Sequence, residues 1–192
     1  MAPFRQSPGD SPSSPRSSAL GAFRPLLNAL VQSTTVELFQ SRGIAVAPIA
    51  AQGNPHPIAY FSLAGLVTLS GPRANGSLTL SCADRVFSLF SPPLLATSIG
   101  ARDLLRELTN QLSGRIKNRL LNYTVVFAIG VPTVLSGQAL ERQRPRRETE
   151  VAYQFRTLRG EMIVTLDLYI DPGTLTYSSS HKVAKEGDFI PF

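Results

Sequence analysis

Three polar side chains near the middle of the chain recur at a spacing that suits a ligand site. Asp103, Glu107 and Asn110 are separated by four and then three residues, and helical residues at i, i+4 and i+7 lie one above another on neighbouring turns. Their carboxylate and carboxamide groups can then converge on a single ligand. Gly114 and Lys117 follow on the same side. Glycine inside a helix costs about 1 kcal/mol relative to alanine, and close approach of another backbone is one reason for its presence.

A helix over residues 102–121 would position this polar row. The opposite side of that helix carries an apolar stripe: Leu104, Leu105, Leu108, Leu112 and Ile116. The pattern predicts an amphipathic helix whose stripe packs on a core while the polar row faces solvent. Any solvated helix face shows similar residue types, so the row alone does not establish a site.

The residues around the row resemble a known family. The segments that carry the resemblance are Gly-Ser-Leu-Thr-Leu-Ser at 76–81, the row with Leu112, Ser113, Gly114 and Lys117, and Val131-Pro132-Thr133-Val134-x2-Gly137. In this order they resemble the CheC/CheX/FliY family of chemotaxis phosphatases, which dephosphorylate the response regulator CheY. The similarity spans residues 23–171, and a single Glu-x-x-Asn helix makes the chain most similar to CheX-type members.

The resemblance implies a role for each residue of the row. An aspartyl phosphate is already activated, so a catalyst need only place a water in line and shield developing charge. By resemblance, Asn110 orients that water and Glu107 pairs with the regulator's active-site lysine. Asp103, Gly114 and Lys117 complete the substrate-binding surface, Asp103 in a lesser, helix-capping or tuning role and Lys117 as a surface charge. No cofactor of its own is implied, since Mg²⁺ is carried by the phosphorylated CheY-like response regulator.

A first long helix is predicted from Pro25, which suits a first helical turn, to about Gly43. In two-motif members of the resembled family this helix carries its own Glu-x-x-Asn. Here the nearest match is Glu37-Leu38-Phe39-Gln40, whose carboxamide lies one methylene further out. The chain is therefore expected to have one site.

The remaining patterns predict strands around the two helices. In chain order they are a strand at 44–49, a hairpin at 58–82, a helix within 83–95, a strand at 125–131, and a second hairpin with strands at 151–155 and 162–170. This order indicates an α+β fold in which two pseudo-related halves form one mostly antiparallel sheet with the long helices on one face. CheX-like members pair by extending the sheet across subunits, so a homodimer through strands around 122–137 or 150–171 is expected; CheC-like members are monomeric.

Size and composition indicate one domain with tails. A chain of 192 residues with 43% hydrophobic content can bury one sizeable core. The expected parts are a disordered Ser/Pro-rich tail at 1–22, a CheX-like domain at 23–173 and a loose C-terminal tail at 174–192. No apolar run of transmembrane length and no signal-peptide pattern is found, so a cytoplasmic protein outside the membrane is expected.

The charge balance leaves several partners open. A net charge of +6 favours an acidic partner, which a response regulator's carboxylate pocket, nucleic acid or an anionic membrane surface would satisfy. The basic run Arg142, Arg144, Arg146 and Arg147 suits a nucleic-acid-binding arm, but nearby glutamates and the lack of aromatics favour a solvated hairpin tip. A further alternative is a family member that binds a receiver domain without hydrolysing its phosphate.

Other reactive residues lack a supporting pattern. His56 and His181 have no ligand spacing around them, which argues against a metal site. Cys82 is the single cysteine, which excludes an internal disulfide, and it is interpreted as a small buried apolar residue. The chemistry is therefore expected to depend on the polar row.

Overall fold

The structure is a computed structural model that describes residues 15–49, 61–90, 98–137 and 150–171. The helices in these ranges are α1 (Pro15–Gln40), a short 3-10 helix (Asp84–Leu89) and α2 (Ser98–Leu121). The strands are β1 (Ala47–Pro48), β2 (Leu63–Ser70), β3 (Ala74–Cys82), β4 (Ala128–Ile129), β5 (Thr133–Ser136), β6 (Glu150–Thr157) and β7 (Gly160–Ile170).

All the described strand pairs are antiparallel and belong to one sheet. Its order is β1-β6-β7-β3-β2-β4, and β5 pairs with the same edge of β2 further along. Exchanging the strands of the half α1-β1-β2-β3 with those of the half α2-β4/β5-β6-β7 gives the same order read from the other edge of the sheet. The predicted α+β fold with two pseudo-related halves is therefore confirmed.

The core lies between one face of the sheet and the two helices. Leu78 and Leu80 of β3 pair across the strands with Leu166 and Val164 of β7, and all four are buried. Alternating strands and helical stripes each present one apolar face, and each face is covered only by packing on the other. Both helices consequently lie against the same side of the sheet, as the sequence predicted.

Helix α2 packs tightly against the sheet at Gly65 of β2. A Cβ built on Gly65 would overlap Thr109 Oγ1 and lie 3.2 Å from Leu105 Cγ. Thr109 is itself buried, and its hydroxyl donates to the Leu105 carbonyl at 2.7 Å. The missing side chain at Gly65 therefore sets how closely the helix with the polar row packs on the sheet.

Two glycines offer a matched test of this packing. We expect Gly65→Ala to lower the free energy of unfolding by about 1–3 kcal/mol, because the added methyl overpacks the contact with α2. Gly114→Ala should raise it by up to about 1 kcal/mol, because a Cβ there meets no atom within 4 Å and alanine is the better helix former. Urea denaturation of both variants measures the two signs, and a stable Gly65→Ala protein would contradict the packing argument.

The first helix begins earlier than the sequence predicted. Helix α1 starts at Pro15 and contains Pro25 in its interior, so the predicted start at Pro25 is wrong and residues 15–22 of the expected disordered tail are helical. An internal proline removes one backbone hydrogen bond. Phe23, two residues earlier, anchors this part of the helix, since its buried ring packs edge to face on Tyr123 with centroids 6.1 Å apart. Residues 1–14 and 172–192, and thus the predicted C-terminal tail, lie outside the described ranges.

Two predicted strands are shorter in the structure for the same reason. The strand predicted at 44–49 is only β1, because the Ile44 N–H still completes the end of α1 by donating to the Phe39 carbonyl at 3.0 Å. The strand predicted at 125–131 is only β4, because the Val125 N–H donates to the Leu120 carbonyl of α2 at 3.2 Å. In both places the first residues of the predicted strand bind the last turn of the preceding helix through their backbone, so the strand begins later.

The other predicted elements have separate outcomes. The helix predicted within 83–95 is a 3-10 helix that ends at Leu89. Both predicted hairpins are present, as β2–β3 and β6–β7, although the start of the first at 58–60 is not in the described ranges. The basic run at 142–147, His56 and His181 also lie outside the described residues.

Candidate active site

The polar row lies on the outer face of α2. Asp103, Glu107 and Asn110 are exposed, and Gly114 and Lys117 are partly exposed. The predicted apolar stripe is buried in the core, with one residue at its margin: Leu105, Leu108, Leu112 and Ile116, then Leu104. Since this stripe anchors successive turns of α2, the helix cannot rotate about its axis and the row is held toward solvent.

Asp103 does not cap the helix. Helix α2 begins at Ser98, so Asp103 lies in the second turn, beyond the backbone N–H groups that need a cap. Its carboxylate pairs with Arg106 at 2.7 Å. Because both side chains are more than half exposed, the pair contributes at most about 1 kcal/mol. The expected capping role is wrong, and Asp103 is an ion-paired carboxylate at the edge of the row.

Glu107 is linked to the neighbouring helix through one intermediate side chain. Gln111 Nε2 donates to Glu107 Oε1 at 2.5 Å, and Arg42, just after α1, donates to Gln111 Oε1 at 2.7 Å. Within the described part of the chain, Glu107 Oε2 has no hydrogen-bond partner. The carboxylate therefore has one engaged oxygen and one oxygen open to an incoming cation.

Asn110 lies one turn beyond Glu107 on the same face. Its backbone carbonyl accepts from Ser113 Oγ at 2.8 Å, whereas its exposed carboxamide has no partner among the residues that the structure describes. A carboxamide both donates and accepts hydrogen bonds. Asn110 thus presents an acceptor for water and a donor for an anionic oxygen, both directed away from the core.

Gly114 and Lys117 complete the row without a side-chain partner among the described residues. The space around Gly114 is open, since an added Cβ would meet no atom within 4 Å. Intrachain packing therefore gives no reason for a glycine here. Lys117 forms no ion pair with the residues in the described ranges, so its ammonium is available to a partner.

Helix α1 carries a row with the same spacing, at Ser33, Glu37 and Gln40. Arg119 of α2 reaches across to this row, donating to Ser33 Oγ at 2.7 Å and pairing with the Glu37 carboxylate. The two rows therefore differ at the corresponding glutamates: Glu37 on α1 is paired with an arginine, and Glu107 on α2 is held by an amide. This difference supports the expectation of one site.

Sequence reasoning identified the row on α2 but missed the side chains that contact the glutamates of the two rows. Arg42, Gln111 and Arg119 act across the contact between α1 and α2, from positions up to 86 residues from their partners. One local signal for Gln111 existed, since it follows Glu107 at i, i+4 and such pairs are neighbours on a helix. The partners of Arg42 and Arg119 had no local signal.

Other candidate chemistry is absent from the described ranges. No group of three or more His, Cys, Asp or Glu side chains there is placed to hold a metal ion. Cys82 is buried, and burial, with a smaller contribution from the Asp84 carboxylate, raises the pKa of its thiol far above the ordinary value, as expected for an inert thiol. None of the described helices is long and apolar enough to cross a membrane.

Comparison with known proteins identifies related sequences and folds. Residues 63–156, from β2 to β6 and including all of α2, match the family model described as chemotaxis phosphatase CheX. A comparison with curated proteins found no match.

Three solved structures illustrate the likeness of fold. A CheC-like superfamily protein from Shewanella sp. PV-4 has a TM-score of 0.63 and 19% identity, covering 72% of this chain and 94% of that one. Chemotaxis protein CheX from Vibrio vulnificus has a TM-score of 0.62 and 17% identity, covering 72% and 93%. The CheX-CheY-BeF3-Mg²⁺ complex from Borrelia burgdorferi matches with a TM-score of 0.54 and 14% identity, covering 80% and 97%. The matched family model and this fold make the chain similar to the CheC/CheX family of chemotaxis proteins.

Proposed function

We propose that the protein hydrolyses the aspartyl phosphate of a CheY-like response regulator in the cytoplasm, with α2 as its active-site helix. The observation that carries the proposal is the exposed Asn110 carboxamide beside a Glu107 carboxylate with one open oxygen, on a helix whose other face is fixed in the core. The family description as a chemotaxis phosphatase supports the activity. The CheX-CheY complex with a similar fold supports the partner.

The proposed reaction requires little covalent chemistry from this chain. An aspartyl phosphate is an acyl phosphate, so hydrolysis requires a water placed in line with the leaving oxygen and shielding of the developing charge. Asn110 would accept a hydrogen bond from the water and donate one to a phosphoryl oxygen. The Mg²⁺ ion and the phosphoryl group both belong to the substrate protein, so no cofactor is required on α2.

Glu107 and the ends of the row would serve docking. Glu107 Oε2 would receive the ammonium of the regulator's active-site lysine, which aligns the two proteins. Asp103 and Lys117 would provide charged contacts on either side, and Gly114 would leave clearance for the partner's backbone.

The sharpest test of the whole proposal is phosphate release from a phosphorylated receiver domain mixed with the purified protein and Mg²⁺. Tight binding of the receiver without faster phosphate release would identify a non-catalytic receiver-binding module instead.

We also propose that the protein forms a homodimer through β5. Of the two expected segments, 150–171 is covered in part, since β7 has a neighbour on both sides and β1 pairs with the end of β6 at Phe155 and Arg156. Strand β5 lies at the edge, its Leu135 is 49% exposed, and Val131 just before it is 87% exposed. Exposed edges with apolar residues favour pairing with another strand.

The hydrogen-bond pattern of β5 suggests a test by proline. The Gly137 N–H donates to the Ser62 carbonyl. Hydrogen-bonded and non-hydrogen-bonded residue pairs alternate along an antiparallel ladder. The pair of Val134 with Gly65 is therefore non-hydrogen-bonded, and the Val134 N–H points away from β2. Val134→Pro should spare the internal pairing but block strand addition, shifting the protein from dimer to monomer in sedimentation velocity at micromolar concentration. Leu158→Ala, in the exposed turn between β6 and β7, is the control that should leave the dimer intact. A monomeric parent protein, or a dimeric Val134→Pro variant that keeps its melting temperature, would contradict this arrangement.

A further inference from the structure

A continuous line of hydrogen bonds connects the end of α1 to the active-site helix. The Arg42 guanidinium donates to Gln111 Oε1 at 2.7 Å, and Gln111 Nε2 donates to Glu107 Oε1 at 2.5 Å. Arg42 and Glu107 come from the two pseudo-related halves of the sheet, 65 residues apart in the sequence by subtraction of their numbers. The Glu107 carboxylate is therefore oriented through Gln111 by Arg42, which lies outside α2.

The backbone at Arg42 is fixed by the way α1 ends. Gly43 has a φ of 75°, its N–H donates to the Gln40 carbonyl at 2.9 Å, and the Ile44 N–H donates to the Phe39 carbonyl at 3.0 Å. These two bonds with a left-handed glycine form a Schellman motif. Ile44 is buried, which anchors the motif to the core. The arginine thus projects from a rigid corner of the fold.

Gln111 matches the two groups that it joins. A guanidinium only donates hydrogen bonds and a carboxylate only accepts them. A side chain between them must accept on one end and donate on the other, which a carboxamide does and a carboxylate, an ammonium or an apolar group does not. This requirement also fixes the amide orientation, with its oxygen toward Arg42 and its nitrogen toward Glu107.

We propose that Gln111 and Arg42 are positioning residues that hold Glu107 in its docking geometry before the regulator arrives. This inference rests on the proposed function of Glu107. Gln111 engages Oε1 and leaves Oε2 for the partner's lysine, and Arg42 restrains Gln111. A flexible glutamate loses side-chain freedom on binding, so a carboxylate that is already restrained binds its partner more tightly. The effect should fall on docking and leave the in-line attack on phosphorus unchanged.

The test is a double-mutant cycle on dephosphorylation kinetics with a phosphorylated receiver domain. Gln111→Leu should raise the half-saturating concentration of the receiver about three- to tenfold, with turnover at saturation unchanged. Arg42→Ala should give a smaller rise in the same direction. Since Arg42 acts through Gln111, adding Arg42→Ala to Gln111→Leu should have no further effect. Arg42→Lys, which keeps a donor, should recover part of the loss.

Controls separate this inference from its alternatives. Arg156→Ala removes another exposed charge, on β6 and away from α2, and should leave the kinetics unchanged. Additive, salt-sensitive effects of Arg42→Ala and Gln111→Leu would overturn the inference, because they would mean that Arg42 contacts the regulator directly. If Glu107→Ala weakens docking while Gln111→Leu behaves as the parent, the positioning role is wrong and the proposed function stands. If Glu107→Ala also has no effect, the docking role of Glu107 fails and the positioning role fails with it, whereas the proposed function itself fails only if the parent protein does not accelerate phosphate release.

Discussion

Replacing Asn110 by alanine should lower the dephosphorylation rate at saturating phospho-regulator about a hundredfold, which corresponds to about 2.7 kcal/mol of transition-state stabilisation. The half-saturating concentration should change little. An interaction made only in the transition state changes turnover, whereas one made equally in the ground state changes apparent affinity. Single-turnover phosphate release from the phosphorylated receiver with excess protein measures the rate directly.

The control for the Asn110→Ala protein is a measurement of its folding. The carboxamide is exposed and has no partner among the described residues, and alanine is a better helix former than asparagine. Circular dichroism and melting temperature should therefore match or slightly exceed those of the parent. A folded Asn110→Ala variant with parental turnover would show that α2 does not orient the attacking water.

Replacing Glu107 by alanine should act mainly on docking. We expect the half-saturating concentration to rise about thirtyfold, or about 2 kcal/mol, because the regulator's lysine loses its counter-charge at a desolvated contact. Turnover can fall as well, since the lysine and the row are then less well aligned. The measurement is a saturation curve of dephosphorylation against phospho-receiver concentration, with direct titration of the unphosphorylated receiver beside it.

A charge-preserving variant sharpens the Glu107 test. Glu107→Asp keeps the carboxylate but withdraws it by one methylene, which takes it away from Gln111 Nε2 as well as from the lysine. Its half-saturating concentration should lie between those of the parent and Glu107→Ala. An alanine variant that docks as tightly as the parent would remove Glu107 from the interface, and the search for the lysine's partner would move to Asp103.

The strongly periodic elements of the fold were predictable from local pattern. The stripe from Leu105 to Ile116 is buried as its helical spacing required, and the alternation in β3 and β7 predicted their pairing face. The start of α1 was not predictable this way, because Pro25 suits a first turn and the packing of Phe23 on Tyr123 depends on a residue one hundred positions away by subtraction. Local pattern does not encode such contacts.

The candidate site shows the same division. The positions of Glu107 and Asn110 on one exposed face follow from helix geometry, which the sequence contains. The engagement of Glu107 by Gln111 and Arg42, and of Glu37 by Arg119, follows from how two helices cross. Asp103 marks the limit of reading a motif alone, since its capping role depended on where the helix begins, and α2 begins at Ser98.

The arginine bound to the α1 row bears on stoichiometry. The two halves of the fold present two similar surfaces, but a lysine that approaches α1 meets the Glu37 carboxylate already paired with Arg119. If α2 alone receives the regulator, each chain has one receptor surface, and a dimer has two. Titration should then saturate at one receiver domain per chain. The half of the fold that contains α1 then serves as a scaffold, whereas in a relative with two sites it would carry a second receiver-binding surface.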